Sequence, residues 1–182
     1  MRRRILFTIL FMSILTLVIK SCRKENVYSR LIVKLTDAPG FFQEVNIDIR
    51  GIDVYFTGNN KHKGRWHSLP SGSRIYNLIE LQNGTTIILA DDNKLPAGHI
   101  SQLRLILGDA NSVVTNNIKY DLHVYEGNAT SISVPLNEDL IVNQETEIIL
   151  DFDADKSIVK NQNGNYFLKP EINVLIGTTS VK

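Results

Sequence analysis

Residues 45–56 read Val-Asn-Ile-Asp-Ile-Arg-Gly-Ile-Asp-Val-Tyr-Phe, and this stretch decides the fold. Apolar residues occupy every second position up to Ile49, and the alternation resumes in the other phase at Ile52. Such alternation is typical of a β-strand with one buried face. One inserted residue at Arg50-Gly51 would keep both halves facing the core. We therefore predict one long strand, about Glu44 to Thr57, with a β-bulge whose backbone angles suit glycine.

The same alternation recurs along the chain and predicts an all-β domain. Turn-forming residues separate the runs, for example Asp37-Ala38-Pro39-Gly40 and Asn83-Gly84, and only Ile75–Gln82 also fits a short helix. Strands do not alternate with helices, which argues against a parallel sheet. We predict a single antiparallel β-sandwich over residues 30–178. Its further strands are indicated by Leu31–Leu35, Leu103–Leu107, Tyr120–Val124, Ile148–Phe152 and Ile172–Ile176.

The N-terminal segment has the anatomy of a secretory signal. Arg2–Arg4 are basic, and Ile5–Ile19 form an apolar run shorter than the roughly 20 residues of a spanning helix. Ser21 then precedes Cys22, the only cysteine, as in the lipobox of bacterial lipoproteins. We predict a signal peptide over residues 1–21 and a tether over residues 22–29 that is lipidated at Cys22. The alternative is an uncleaved signal anchor with an incidental cysteine.

The predicted leader implies export and attachment to a membrane through the lipid anchor. We expect the outer membrane, and the sequence leaves open which face of it carries the protein. Beyond the leader, the chain has 16 basic and 19 acidic residues, a net charge of −3. A mildly acidic domain without clustered Lys and Arg is a poor binder of nucleic acid, so that class of partner is excluded.

Three acidic residues, Asp151, Asp153 and Asp155, form the sharpest candidate site. Alternate residues of a strand share a face, so their carboxylates could project together and bind calcium, which takes oxygen ligands. The glycine and distal glutamate of a helix-loop-helix calcium loop are missing here. The alternative is a strand with Leu150 and Phe152 in the core and the acids in solvent. No other metal or cofactor is expected.

Trp66 is the candidate ligand-binding aromatic residue, as a platform on which a sugar ring could stack, and Tyr55 and Tyr125 are further candidates. The alternative for Trp66 is a place in the core. The four histidines lie in separate elements without metal-binding spacing. No catalytic residue is assigned, because the sequence has no nucleophile elbow and no glycine-rich phosphate loop.

Several stretches together resemble the domain-of-unknown-function family 4382, which is found largely in Bacteroidota. This resemblance implies an exported protein or lipoprotein with a transthyretin-like or immunoglobulin-like sandwich. It implies no activity, ligand or catalytic residue. The likeness covers nearly all of residues 31–176 and is carried by Leu31–Pro39, Val45–Val54, Trp66, Leu78–Gly84, Leu95–Gly98, Gln102–Leu105, Asp151–Ala154, Ser157–Val159 and Tyr166–Pro170.

Three functions remain open at the level of the sequence. The favoured hypothesis is a non-enzymatic binding or assembly module of the cell envelope, which contacts a glycan or protein partner through loops at the ends of the sandwich. The second is an envelope hydrolase whose site is assembled in space. The third is a structural accessory lipoprotein without a small ligand.

Overall fold

The computed structural model describes residues 28–58, 63–125 and 130–180. The predicted signal peptide and Cys22 lie outside the described residues. The strands are β1 (Tyr28–Asp37), β2 (Glu44–Gly58), β3 (Arg65–Ser68), β4 (Arg74–Asn77), β5 (Ile87–Pro96), β6 (Gly98–Leu107), β7 (Ser112–Thr115), β8 (Ile118–Val124), β9 (Ser131–Leu140), β10 (Gln144–Phe152), β11 (Ile158–Lys160), β12 (Tyr166–Leu168) and β13 (Ile172–Ser180). A 3₁₀ turn (Leu78–Leu81) and one helical turn, α1 (Ala154–Ser157), complete the described fold.

Two sheets pack as a sandwich, which confirms the all-β prediction. The smaller sheet has the strand order β13-β10-β1-β5, and the larger has the order β11-β12-β8-β7-β2-β6-β9. Strands β3 and β4 also pair with β2 but lie off this path. The buried apolar residues of both sheets form one core, with Leu31, Val33 and Leu150 from the smaller sheet and Ile47, Val54 and Leu103 from the larger.

Two pairings depart from the predicted antiparallel arrangement. Strand β1 pairs with β10 in parallel, and β12 pairs with β8 in parallel. Parallel neighbours need a long crossover connection, and a helix usually supplies it. Here the chain between β1 and β10 instead builds strands β2 to β9, so the rhythm of strand and helix never appears in the sequence.

The predicted bulge in β2 is confirmed. Ile49 lies opposite Leu107 and Gly51 lies opposite Ile106, so Arg50 is the extra residue. Ile49 and Ile52 are both buried on the same side as a result. The expectation that the bulge needs glycine's backbone angles is wrong, because the described glycines with positive φ are Gly84 and Gly164.

Two of the longest strands, β5 and β9, are not revealed by the alternation. Strand β5 contains the polar run Asp91-Asp92-Asn93-Lys94, which has low strand propensity, and it pairs with β1 across two irregularities of register. Strand β9 contains Pro135 and lies at the edge of the larger sheet. An edge tolerates proline because no ladder hydrogen bond is needed on its open side.

Two glycines give a matched test of this packing. A Cβ atom at Gly51 would meet Ile106 at 3.7 Å, an ordinary contact, whereas at Gly98 it would lie 2.6 Å from the carbonyl oxygen of Thr57. We expect Gly51→Ala to change the free energy of unfolding by less than about 0.5 kcal/mol. We expect Gly98→Ala to cost about 1–3 kcal/mol through overpacking. Urea denaturation of both variants measures the free energy of unfolding. Equal losses in the two variants would contradict the claim that only Gly98 lacks room for a Cβ atom.

Candidate functional site

Trp66 lies on the outer face of the larger sheet, where neighbouring side chains contact its ring. Strand β3 places it opposite Tyr55, and the two rings meet edge to face with centroids 5.4 Å apart. The Arg104 guanidinium lies over the indole, 4.0 Å from its centroid. Trp66 is therefore neither a core residue nor an open platform, since a cation already covers one face of the ring.

The cation over Trp66 is held in place by a carboxylate. Arg104 donates from Nε and Nη2 to Oδ2 of Asp53 at 2.9 and 2.7 Å, and Ser68 Oγ donates to Oδ1 at 2.7 Å. Burial alone would raise the pKa of Asp53, but the hydrogen bonds from Ser68 and Arg104 outweigh it and leave this pKa below its usual range. One cluster of contacting side chains therefore spans β2, β3 and β6. We call it the Trp66 unit, and it contains Asp53, Ser68, Trp66 and Arg104.

The prediction that Asp151, Asp153 and Asp155 share one strand face is wrong, because β10 ends at Phe152. Asp153 caps α1: its carboxylate accepts from the backbone N–H of Lys156 at 3.0 Å and from Lys156 Nζ at 2.6 Å. Asp155 accepts from the backbone N–H of Phe41 at 2.9 Å instead. Asp153 and Asp155 therefore have different partners, and the three acids do not converge on a calcium ion. Within residues 28–58, 63–125 and 130–180, no group of three His, Cys, Asp or Glu side chains is placed to hold a metal.

A fourth acid, Asp37, joins three parts of the fold at the same end. Its carboxylate accepts from the backbone N–H of Ala154 at 3.0 Å and from Gln82 Nε2 at 3.2 Å. Asp37 begins the predicted turn Asp37-Ala38-Pro39-Gly40, but both these partners are distant in the sequence. Burial raises the pKa of Asp37 to about 6, although these two hydrogen bonds oppose the shift, and the charges of Asp153 and Asp151 raise it further.

A pair of aromatic side chains lies toward the β11–β12 edge of the larger sheet. Tyr125 directly follows β8 and is 58% exposed, and its ring meets that of Phe167 on β12 at 86° with centroids 6.1 Å apart. The backbone N–H of Tyr125 donates to the carbonyl of Leu168 at 2.9 Å, which fixes the chain between the two rings. We call Tyr125 and Phe167 the aromatic pair.

Three adjoining depressions surround the aromatic pair. Their volumes are about 270, 260 and 440 Å³. The first and second share Phe167, and the first and third share Tyr125 and Lys169. Polar side chains line them beside the rings, namely Asp121, His123, Ser131, Ser133, Lys160 and Asn161.

Sequence reasoning found only part of this site. Tyr125 was a candidate platform, whereas Phe167 was seen only as part of a family motif. Tyr166 and Leu168 on either side face the core, so a large aromatic residue stands at a solvent-facing position of a strand. That position is the signal that marks Phe167, and it becomes readable once the phase of β12 is known.

A model of the family "Domain of unknown function (DUF4382)" matches residues 28–170. The chain belongs to this family. A comparison with curated proteins finds no relative of the chain. The match to DUF4382 ends before β13, so the last strand of the smaller sheet lies beyond the matched region. No helix in the described part of this DUF4382 chain has the length and apolar character needed to cross a membrane.

The motifs that carry the resemblance to DUF4382 meet at Asp37. Asp37 belongs to Leu31–Pro39, Gln82 to Leu78–Gly84 and Ala154 to Asp151–Ala154. The hydrogen bonds of Asp37 thus connect three separate sequence motifs at one end of the sandwich. Both oxygens of this buried carboxylate accept hydrogen bonds from the fold. We call Asp37 with its partners Gln82 and Ala154 the Asp37 joint and assign it a structural role.

The Trp66 unit yields a stability prediction. We expect Arg104→Gln to lower the free energy of unfolding by about 1–3 kcal/mol, because Asp53 stays buried without its charged donor. Trp66 is the only tryptophan, so the same variant should change the intrinsic fluorescence of the folded protein. Denaturant titration gives the cost. In an Asp53→Asn background, Arg104→Gln should lower the free energy of unfolding by less. An equal loss in both backgrounds would show that the ion pair between Asp53 and Arg104 contributes nothing to stability.

The Asp37 joint yields a pH-dependent prediction. The folded-state pKa of about 6 exceeds the usual 3.8, so the contribution of Asp37 to stability is complete below the lower value and is lost as the pH rises through the higher one. We expect Asp37→Asn to gain stability relative to the parent, on the order of 1–3 kcal/mol, between about pH 4 and pH 7. Urea denaturation across this range measures the stability difference between the variant and the parent. A difference that does not change with pH would contradict the raised pKa of Asp37.

Proposed function

We propose that this protein is a lipid-anchored module of the cell envelope that binds carbohydrate without catalysis, through the aromatic pair Tyr125 and Phe167. The observation that carries the proposal is the perpendicular arrangement of the exposed Tyr125 ring and the half-buried Phe167 ring between three depressions. The apolar face of a sugar ring packs on an aromatic ring, while its hydroxyl groups need hydrogen-bond partners around it.

The side chains around the aromatic pair offer such partners. Lys169 and Lys160 are donors, Asp121 is an acceptor, and Asn161 can donate and accept. A mixed set of this kind suits hydroxyl groups better than it suits an apolar ligand. Its mixed charge also favours a neutral ligand over a strongly anionic one.

Three of the acidic residues are held by the fold itself. Asp53 is paired with Arg104, Asp37 is buried at the joint, and Asp153 caps α1. A hydrolase needs carboxylates with free access to substrate, and the fold already engages the oxygens of these three. Trp66 is a weaker platform than Tyr125 because Arg104 lies over its ring.

The anchoring part of the proposal rests on the leader. A basic start, a short apolar run and the single cysteine at residue 22 form the lipoprotein pattern, and the DUF4382 domain begins at residue 28, shortly after it. Acyl chains contribute about 0.8 kcal/mol per buried methylene, so several chains on Cys22 would hold the domain on a membrane.

A glycan array probed with the detergent-solubilised full-length protein tests the carbohydrate site, after intact mass has established whether Cys22 is acylated. We expect Tyr125→Ala to weaken the affinity for any glycan found by about tenfold, the loss of one stacking contact. Phe41→Ala, which removes another exposed aromatic ring, should leave binding unchanged. Absence of glycan binding, or equal losses in both variants, would contradict the proposed site, and capture of a protein partner alone would favour the assembly role.

A further inference from the structure

Three exposed apolar residues lie on two neighbouring segments where the described chain begins. Tyr28 is 42% exposed, Ile141 is 56% exposed and Val142 is 37% exposed. The backbone N–H of Asn143 donates to the carbonyl of Tyr28 at 3.1 Å, which joins the turn between β9 and β10 to the start of β1. We call Tyr28, Ile141 and Val142 the apolar end.

The turn that carries the apolar end is ordered by its own backbone. The N–H of Gln144 donates to the carbonyl of Ile141 at 3.1 Å, and Asn143 has a positive φ of 59°. Tyr28 also pairs with Pro96 across β1 and β5. The fold therefore holds the side chains of Ile141 and Val142 outward, although both are residue types that are usually buried.

We infer that the apolar end is a membrane-contact surface, on which the domain stands end-on against the bilayer that holds its lipid anchor. This inference rests on the proposed lipidation of Cys22. It goes beyond anchoring because it fixes which end of the sandwich faces the lipid.

The length of chain between anchor and domain supports the bilayer as the occupant of this surface. Five residues lie between Cys22 and Tyr28, so six Cα-to-Cα steps join them. Even a fully extended chain of that length spans only about 20 Å, so the start of β1 must stay close to an acylated cysteine. A short apolar side-chain cluster at this distance can enter the headgroup region, where interfacial apolar groups reach about 5–10 Å deep.

The charges near the apolar end favour lipid without a requirement for anionic headgroups. Lys94 lies beside Tyr28 in the same depression, and the exposed Asp139, which pairs with His99 at 2.9 Å, lies just before the turn. The two signs offset each other, so apolar contact rather than charge attraction is the expected source of affinity. Vesicles of zwitterionic phosphatidylcholine are therefore the appropriate probe.

The opposite end provides a matched reference. Ile118 is 52% exposed, close to the value for Ile141, and it follows the turn Asn116-Asn117. Asn117 binds Gln43, which places that turn beside the loop after β1. Strand β1 is ten residues long, so the two ends are separated by about 30 Å.

Site-specific fluorescence quenching tests the inference with the full-length lipidated protein. Acylation would leave no free thiol, because Cys22 is the only cysteine, so Ile141→Cys, Val142→Cys and the control Ile118→Cys each carry one fluorophore. The proteins are reconstituted in phosphatidylcholine vesicles that contain a spin-labelled quencher lipid. We expect quenching of at least about twofold at positions 141 and 142 and none at position 118, since only the apolar end would reach the quencher depth.

The outcomes separate this inference from the proposed anchor. Co-flotation of protein and vesicles with equal quenching at all three positions would overturn the end-on contact and leave the anchor standing. Failure to co-float would overturn the lipid anchor and the inference with it. Quenching confined to positions 141 and 142 would support both.

Discussion

The rest of the structure depends on one constraint in β2: the apolar residues of both halves of this strand must point into the same core. This one strand pairs with β3, β4, β6 and β7, so an error in its register would propagate through most of the larger sheet. The extra residue at Arg50 lets Ile49 and Ile52 enter the same core. It also turns Asp53 and Tyr55 outward beyond the bulge, which is how the Trp66 unit comes to lie on the outer face.

Alternation within strands made much of this fold predictable, because burial of one face leaves a direct trace in the sequence. Strands β1, β2, β6, β8, β10 and β13 follow from it, as does the bulge. Neighbour relations leave no such trace. The parallel pairing of β1 with β10 joins residues more than a hundred positions apart, and nothing local to Lys34 or Ile149 indicates that they face each other.

The candidate sites show where sequence reasoning ends. Asp151, Asp153 and Asp155 looked like one chemical unit because they are close in the chain, but the change from strand to helical turn after Phe152 directs Asp153 and Asp155 to different partners. Asp37 shows the reverse case. Its partners, Gln82 and Ala154, come from distant motifs, so the joint is visible only in three dimensions.

Trp66 and Tyr125 show what distinguishes a structural aromatic residue from one available to a ligand. Both lie on the outside of the larger sheet beside basic side chains. Arg104 is tied to a buried carboxylate, so freeing the Trp66 ring for a sugar would break an ion pair that the fold needs. Tyr125 has an exposed ring and packs against a second aromatic residue, Phe167, so a ligand there gains contact without dismantling anything. The cost of access, rather than the type of residue, decides which platform can bind.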